Sequence, residues 1–273
     1  MTDGRRRVEA PFGRRAVPVV ASEQVGAYCV LRVRDAEGPQ PWPGQFYMLA
    51  AVERWGAGED ERPFLPRAFS FLHAGDDGEL QFMLEDVGPG TARLAALQPG
   101  EELWITGPLG LGFALPEDGR RAILCGGGVG VAPLAALQDR LGDDASAPVL
   151  LGFRDAAHAP GAGLLRDAAV ATDDGSVGHH GLVTELLGAE LDADDAAVVY
   201  ACGPPPMLEA VRAMTVERGV PAQLALEAGM ACGFGACFGC VVETHEGYVR
   251  VCVDGPVVEA GALRSALAAG VGH

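Results

Sequence analysis

The sequence predicts a multi-domain β + α/β chain. It should contain an antiparallel β-barrel, a domain built on a parallel sheet, and a small cysteine-bearing C-terminal module. Three observations predict this. Short apolar runs separated by turn dipeptides fill residues 16–115, as antiparallel strands do. After Pro116, strand-like and helix-like stretches alternate, which requires crossover connections and a parallel sheet. Four cysteines then crowd into residues 232–252.

The elements follow in order. Residues 1–15 are arginine-rich with no apolar run, so a basic disordered tail and no secretion signal are expected there. Barrel strands are expected at 28–34, 45–51, 68–73, 80–85 and 102–106. Pro43-Gly44, Asp77-Gly78 and Pro99-Gly100 supply turns between them. Residues 55–66 are polar and contain prolines, hence an exposed loop, and 91–97 is the helical stretch of this region. The second domain, 116–222, opens on a buried strand at 121–125 that runs through GGGVGVAPL into a helix ending at Leu141. Segments 148–153, 168–172, 181–187 and 196–202 continue the alternation, and 205–218 is an amphipathic helix. The last module, 223–273, holds a strand at 223–227, the cysteine loop, two short strands and a closing helix at 260–269.

The cysteines are the most specific signal. Cys232, Cys237, Cys240 and Cys252 are spaced C-x4-C-x2-C, then eleven residues, then the last Cys. That spacing opens the plant-type ferredoxin pattern for a [2Fe–2S] cluster, with a short gap to the final ligand. Four thiolates must converge on two irons, so three of them share one tight loop. Gly229, Gly233, Gly235 and Gly239 let that loop fold closely. A disulfide framework fits poorly with an odd seven cysteines in 273 residues. A structural zinc site more often shows two short ligand pairs. Cys29, Cys125 and Cys202 lie in apolar runs and are expected to be buried.

A net charge of −17 argues against a nucleic-acid surface. No apolar run approaches the ~18 residues that cross a bilayer, so no membrane insertion is expected. Free thiols with a cluster point to a reducing cytoplasm. The chain contains no lysine, which reads as compositional bias.

Two glycine-rich turns suggest phosphate binding. Gly126, Gly127, Gly128 and Gly130 lie between a strand and a helix, where backbone N–H groups can receive a pyrophosphate. A tight strand–helix turn explains the same glycines. Cys202-Gly203-Pro204 occupies a later strand–helix turn that parallel topology brings to the same sheet edge, which favours dinucleotide binding. Arg67-Ala68-Phe69-Ser70 offers a guanidinium fork, an aromatic ring and a hydroxyl, although an ordinary barrel strand explains these four alone. Gly90 and Thr91, at a helix start, form a second cradle, or Thr91 is simply an N-cap.

Read in order, R-x-F-S, G-x-G-T, G-P-L-G-x-G-F, G-G-G-x-G-x-A-P and C-G-P resemble the ferredoxin-reductase flavoprotein superfamily. The stretch 227–233 (EAGMACG) and 251–256 (VCVDGP) is similar to the electron-transfer subunits of dihydroorotate dehydrogenase, over most of residues 16–258. The resemblance implies an FAD-binding barrel, an NAD-binding α/β domain and one [2Fe–2S] cluster. It also implies a separate FMN-containing partner that oxidises dihydroorotate, two copies of each chain in the assembly, and NAD⁺ as terminal acceptor in pyrimidine biosynthesis. By the same resemblance Arg67, Ala68, Phe69, Ser70, Gly90 and Thr91 contact FAD, and Cys232, Cys237, Cys240 and Cys252 hold the cluster. The resemblance leads to no expectation of a general acid–base residue.

Two departures stand out. Family members often carry a basic residue just before G-x-G-T, facing the FAD phosphates; here the stretch reads Leu84-Glu85-Asp86-Val87. Gly229 stands where an Arg is expected before Met230. The acids of Thr172-Asp173-Asp174 favour NAD over NADP, whereas Arg154 offers a phosphate contact. The alternatives are an NAD(P)H:ferredoxin-type oxidoreductase subunit, another iron–sulfur flavoprotein reductase, and a redox sensor without turnover.

Overall fold

The computed structural model describes residues 6–10, 13–56, 62–117, 119–142 and 147–267. Six strands close into an antiparallel barrel in the order β1-β2-β5-β4-β3-β6. They are β1 (Arg15–Val25), β2 (Tyr28–Arg34), β3 (Phe46–Ala51), β4 (Arg67–Ala74), β5 (Glu79–Glu85) and β6 (Glu102–Leu109). Inward-facing Val17, Leu31, Leu49, Phe82, Leu84 and Ile105 fill the barrel. Helix α1 (Pro89–Ala95) adds Leu94 to the same core. Closure leaves no strand edge open.

The second sheet has seven strands in the order β10-β9-β8-β7-β11-β12-β15. Its central strands, β7 (Arg121–Gly127), β8 (Val149–Phe153), β9 (Ala168–Thr172) and β11 (Ala197–Cys202), are parallel. Strand β10 (His179–His180) is a short edge. Helices α2 (Val131–Leu141), α3 (Val183–Ala193) and α4 (Pro205–Arg218) are the crossovers. The predicted segment 181–187 is thus the start of α3. Strand β11 is buried at every residue, as a strand covered by helices on both faces must be.

Strand β12 (Ala222–Ala225) pairs in parallel with β11, and β15 (Val257–Glu259) pairs antiparallel with β12. Between them lie the cysteine loop, the ribbon β13 (Val241–Thr244) with β14 (Gly247–Arg250), and the short helix α5 (Val251–Asp254). The cysteine loop is therefore hung from the edge of the α/β sheet. Among the described residues, no helix is long and apolar enough to cross a membrane.

Three expectations are corrected. Residues 6–10 of the expected tail are fastened to the barrel. Gln45 is fully buried, and its amide both donates to the Val8 carbonyl at 3.0 Å and accepts from the Val8 N–H at 3.3 Å. Arg6 and Gly112 exchange two further bonds at 2.8 and 2.9 Å. Residues 1–5 and 11–12 lie outside the described residues. Second, Arg15–Val25 is a strand. Pro18 disguises it, but Pro18 falls where β1 leaves its pairing with β6 and passes to β2. Third, 260–269 is not a helix. A single 3₁₀ turn, Ala260–Ala262, ends where Leu263 bridges Thr244. The Ala266 N–H then donates to Glu209 of α4 at 2.6 Å instead of closing a helical turn. Residues 268 and 269 lie outside the described residues, as do 57–61 of the expected loop 55–66.

Candidate functional site

Two cavities flank the turn between β7 and α2. Parallel pairing places Cys202 opposite Gly126, so the turns after β7 and β11 leave the sheet side by side. They are packed against each other. A Cβ on Gly130 would lie 2.2 Å from the Cys202 carbonyl oxygen. One on Gly127 would lie 2.7 Å from Met207 Sδ and 3.0 Å from Pro204 Cδ. Gly128 holds φ at +54°, the left-handed region that glycine enters without strain. Gly130 is thus needed for the close approach of two backbones, whereas a Cβ on Gly126 would meet the Leu134 and Leu151 side chains at 2.8 Å.

The first cavity, about 250 Å³, lies between the barrel and this edge. Ala68, Phe69 and Ser70 of β4 form one wall, facing Val129, Cys202 and Glu227. Burial raises the Cys202 thiol well above its usual range, and the charge of Glu227 adds to this. Cys202 is therefore a neutral, unreactive wall here.

Arg67 begins β4 just beyond that wall. Its Nη1 donates to the Leu65 carbonyl at 2.6 Å, and the guanidinium carbon stands 5.9 Å from the Trp55 ring centroid. A Cβ on Gly90 would come within 2.7 Å of Arg67 Nε. The R-x-F-S and G-x-G-T segments therefore meet. Thr91 is not the N-cap, a position that Gly88 holds. Thr91 Oγ1 accepts from the Val87 and Gly88 amides at 2.9 and 3.0 Å and donates to the Gly88 carbonyl at 3.0 Å. It fixes the turn from within.

The second cavity, about 410 Å³, lies on the other side of the same turns. Gly127, Gly128, Pro204 and Met207 line it, with Asp173 after β9. Its remaining polar wall is Arg154 and Glu85, both noted in the sequence, with Tyr28 and His158, which the sequence did not single out. The acid noted before G-x-G-T thus stands at this cavity, where Glu85 is ion-paired with Arg154. Burial, and then the Glu85 charge, raise the Tyr28 hydroxyl above its usual range. The departure from the family motif at Glu85 and the arginine at the end of a strand, Arg154, were its signals in the sequence.

The cysteine loop follows from Ala228 and Met230, which also line the first cavity. Gly233 and Gly235 take φ of +78° and +86°. A Cβ on Gly233 would strike Met48 Cγ of the barrel at 2.6 Å. Among the described residues no three His, Cys, Asp or Glu side chains are gathered to hold a single metal ion. The four thiols instead associate in twos, Cys232 with Cys237 and Cys240 with Cys252. Burial works to raise the Cys232 thiol, but the Cys237, Phe234 and Ala236 amides and the Cys237 thiol outweigh it and bring it down to about 6. Cys252 is pushed up to about 12 by burial and by Cys240. Backbone N–H groups of Gly239 and Cys252 donate to the sulfurs of Cys237 and Cys240, each at 3.4 Å. Two thiol pairs with amide donors suit a two-iron cluster, whose sulfurs need such donors. Arg250 clamps the loop, donating to the Gly235 carbonyl at 3.4 Å and lying 5.5 Å from the Phe238 ring centroid.

Comparison with known proteins agrees with this arrangement. Residues 227–264 match the family model of the iron–sulfur cluster binding domain of dihydroorotate dehydrogenase B. The electron transfer subunit of dihydroorotate dehydrogenase B (NAD(+)) from Caldanaerobacter subterraneus is 37% identical over 244 residues, covering 88% of this chain and 94% of that protein. The subunit of the same name from Geobacillus kaustophilus is 41% identical over 231 residues, covering 80% and 85%. A solved structure of the NADH-dependent reduced ferredoxin-NADP oxidoreductase shares the fold, with a TM-score of 0.75, 22% identity and coverage of 93% and 92%. The chain belongs to the family of dihydroorotate dehydrogenase B (NAD(+)) electron transfer subunits.

Proposed function

We propose that this chain carries electrons from a separate, FMN-containing subunit that oxidises dihydroorotate to NAD⁺, in a cytoplasmic assembly of two copies of each chain that serves pyrimidine biosynthesis. One observation carries the reading: three sites follow one another without a gap. Ala228 and Met230 join the cysteine loop to the first cavity. Val129 and Cys202 of the first cavity adjoin Gly128 and Pro204 of the second.

When bound, FAD and the cluster supply the exchange between paired and single electrons that nicotinamide alone cannot make. The chain's own residues hold and shield. Ala68 and Phe69 offer an apolar wall to the flavin ring and Ser70 a hydroxyl. The first cavity has the size of a ring system rather than a whole dinucleotide. Arg67 and the Gly90 turn would hold the diphosphate end of FAD, and Thr91 keeps that turn in shape. Cys232, Cys237, Cys240 and Cys252 bind the cluster.

The second cavity receives NAD. Gly130 allows the two turns to close up, Gly126 leaves room for Leu134 and Leu151 beneath them, Gly127 and Gly128 face the phosphates, and Cys202, Gly203 and Pro204 form the opposite lip. Asp173, an acid after a strand of the sheet, suits a ribose 2′-hydroxyl and repels a 2′-phosphate. The division into 16–115, 116–222 and 223–273 serves this reading, with β12 and β15 shared with the α/β sheet.

The test is a pull-down of the tagged chain from its native host, followed by dihydroorotate and NAD⁺ under anaerobic conditions. Equal amounts of orotate and NADH, with an FMN-containing chain in the eluate, are expected. A flavin that NADH reduces, without orotate and without that chain, would overturn the partner and leave a reductase.

A further inference from the structure

Glu85 and Arg154 face each other from different halves of the molecule. Glu85 ends β5 of the barrel, and Arg154 follows β8 of the parallel sheet. Both line the second cavity. Arg154 Nη2 donates to Glu85 Oε1 in a hydrogen-bonded ion pair. Arg154 Nε donates to His158 Nε2 at 2.9 Å, and His158 Nδ1 stands 2.6 Å from Asp155 Oδ1. The Asp155 carboxylate only accepts, so Nδ1 carries the proton and Nε2 keeps its lone pair for Arg154. His158 is buried, with the Tyr28 ring edge-on at 5.5 Å between centroids. The imidazole is therefore a fixed post for Arg154, whose side chain is 58% exposed and reaches Glu85 with Nη2.

The charges of the cavity wall make this arrangement consequential. Among the described residues that line it, Arg154 is the one permanent cation, against the two carboxylates Glu85 and Asp173. A dinucleotide brings a doubly charged diphosphate to that wall. Arginine is the side chain best suited to grip it, because its fork matches two phosphate oxygens. Yet Glu85 already occupies the guanidinium. We propose that Arg154 anchors the diphosphate of the pyridine dinucleotide and that Glu85 is its resident counterion, which the nucleotide must displace. Glu85 thus weakens nucleotide binding by design of the site, and the barrel–sheet ion pair is exchanged for an arginine–phosphate pair. The inference rests on reading the second cavity as the dinucleotide site.

The test uses the intact protein with its flavin and cluster, titrated with NADH and with ADP-ribose at fixed low ionic strength. Glu85→Gln is expected to tighten both ligands by about fivefold, because it frees the cation. Arg154→Gln is expected to weaken both by about tenfold. The double variant should match Arg154→Gln within about twofold, since Glu85 acts only through Arg154. Glu85→Asp, which shortens the reach, should tighten binding by a smaller factor. Flavin content and melting temperature identify any variant that fails to fold. If Glu85→Gln is folded and binds no more tightly than the parent, the exchange is wrong and Glu85 is only a structural tie. If the parent binds neither NADH nor ADP-ribose, the dinucleotide reading falls, and the exchange with it.

Discussion

At the scale of single residues, the site depends on atoms that are missing. Gly130 and Gly127 sit in one turn, but the contacts that a methyl group would make differ in kind. At Gly130 the obstacle is the Cys202 carbonyl oxygen, 2.2 Å away, and it belongs to the end of a buried central strand. At Gly127 it is first the Met207 sulfur at 2.7 Å, the end of a flexible side chain that can turn aside. Gly130→Ala should therefore cost about 2–3 kcal/mol of stability and abolish NADH binding. Gly127→Ala should cost about 1 kcal/mol and leave measurable binding. Thermal denaturation with NADH titration checks both. A Gly130→Ala protein that melts and binds like the parent would show that the two turns are not interlocked.

At the scale of elements, the C-terminal segment is held to α4 by one carboxylate. Glu209 accepts from Arg212 Nη2 at 2.6 Å, from the Ser265 hydroxyl at 3.0 Å and from the Ala266 N–H at 2.6 Å. The Arg212 guanidinium first, helped by the other two donors against the cost of burial, lowers its pKa from 4.5 to about 2. A depressed carboxylate stabilises the fold above its unfolded pKa, and the contribution is lost as pH falls through the folded value. Glu209→Gln should thus destabilise at neutral pH by about 1–2 kcal/mol once solvent screening is allowed for. The gap between the two proteins should shrink from about pH 4.5 down to pH 2. Melting curves at pH 7 and pH 3 test it; a pH-independent gap would mean that Glu209 acts by packing. The same contact explains why the end of the chain was misread. Residues 260–267 are rich in alanine and leucine, which propensity reads as helix. A long-range acceptor that local sequence does not reveal, Glu209, takes the Ala266 backbone donor and the Ser265 hydroxyl. Pro18 and the arginines hid β1 in the same way, because its partner strand lies far along the chain.

At the scale of the whole molecule, the order of parts was legible because each part carries its own chemistry in sequence: turn-punctuated strands, glycine turns at strand ends, and spaced cysteines. What was not legible is what one part brings to another. Glu85 reads as a motif gone wrong until the α/β domain sets Arg154 against it. The remaining cross-chain question is where the partner docks, and exposed apolar surface bears on it. Cys237 is the exposed member of the four spaced cysteines proposed to hold the cluster. Phe234 and Phe238 bracket it, 49% and 64% exposed. Large aromatics left in water beside the cluster loop have the composition of an interface centre, where a few such rings carry most of the binding. An electron entering from another subunit also has its most direct route at the exposed cysteine. Phe238 holds φ at +57°, so glycine rather than alanine removes its ring without backbone strain. Phe234→Ala combined with Phe238→Gly should cut dihydroorotate-driven NAD⁺ reduction by about tenfold or more at limiting partner concentration. NADH-driven reduction of a small dye should be unchanged, because neither ring lines the two cavities. Iron content and the visible spectrum confirm that the cluster is intact. If both activities fall together, the rings serve the cluster; if neither falls, the partner docks elsewhere.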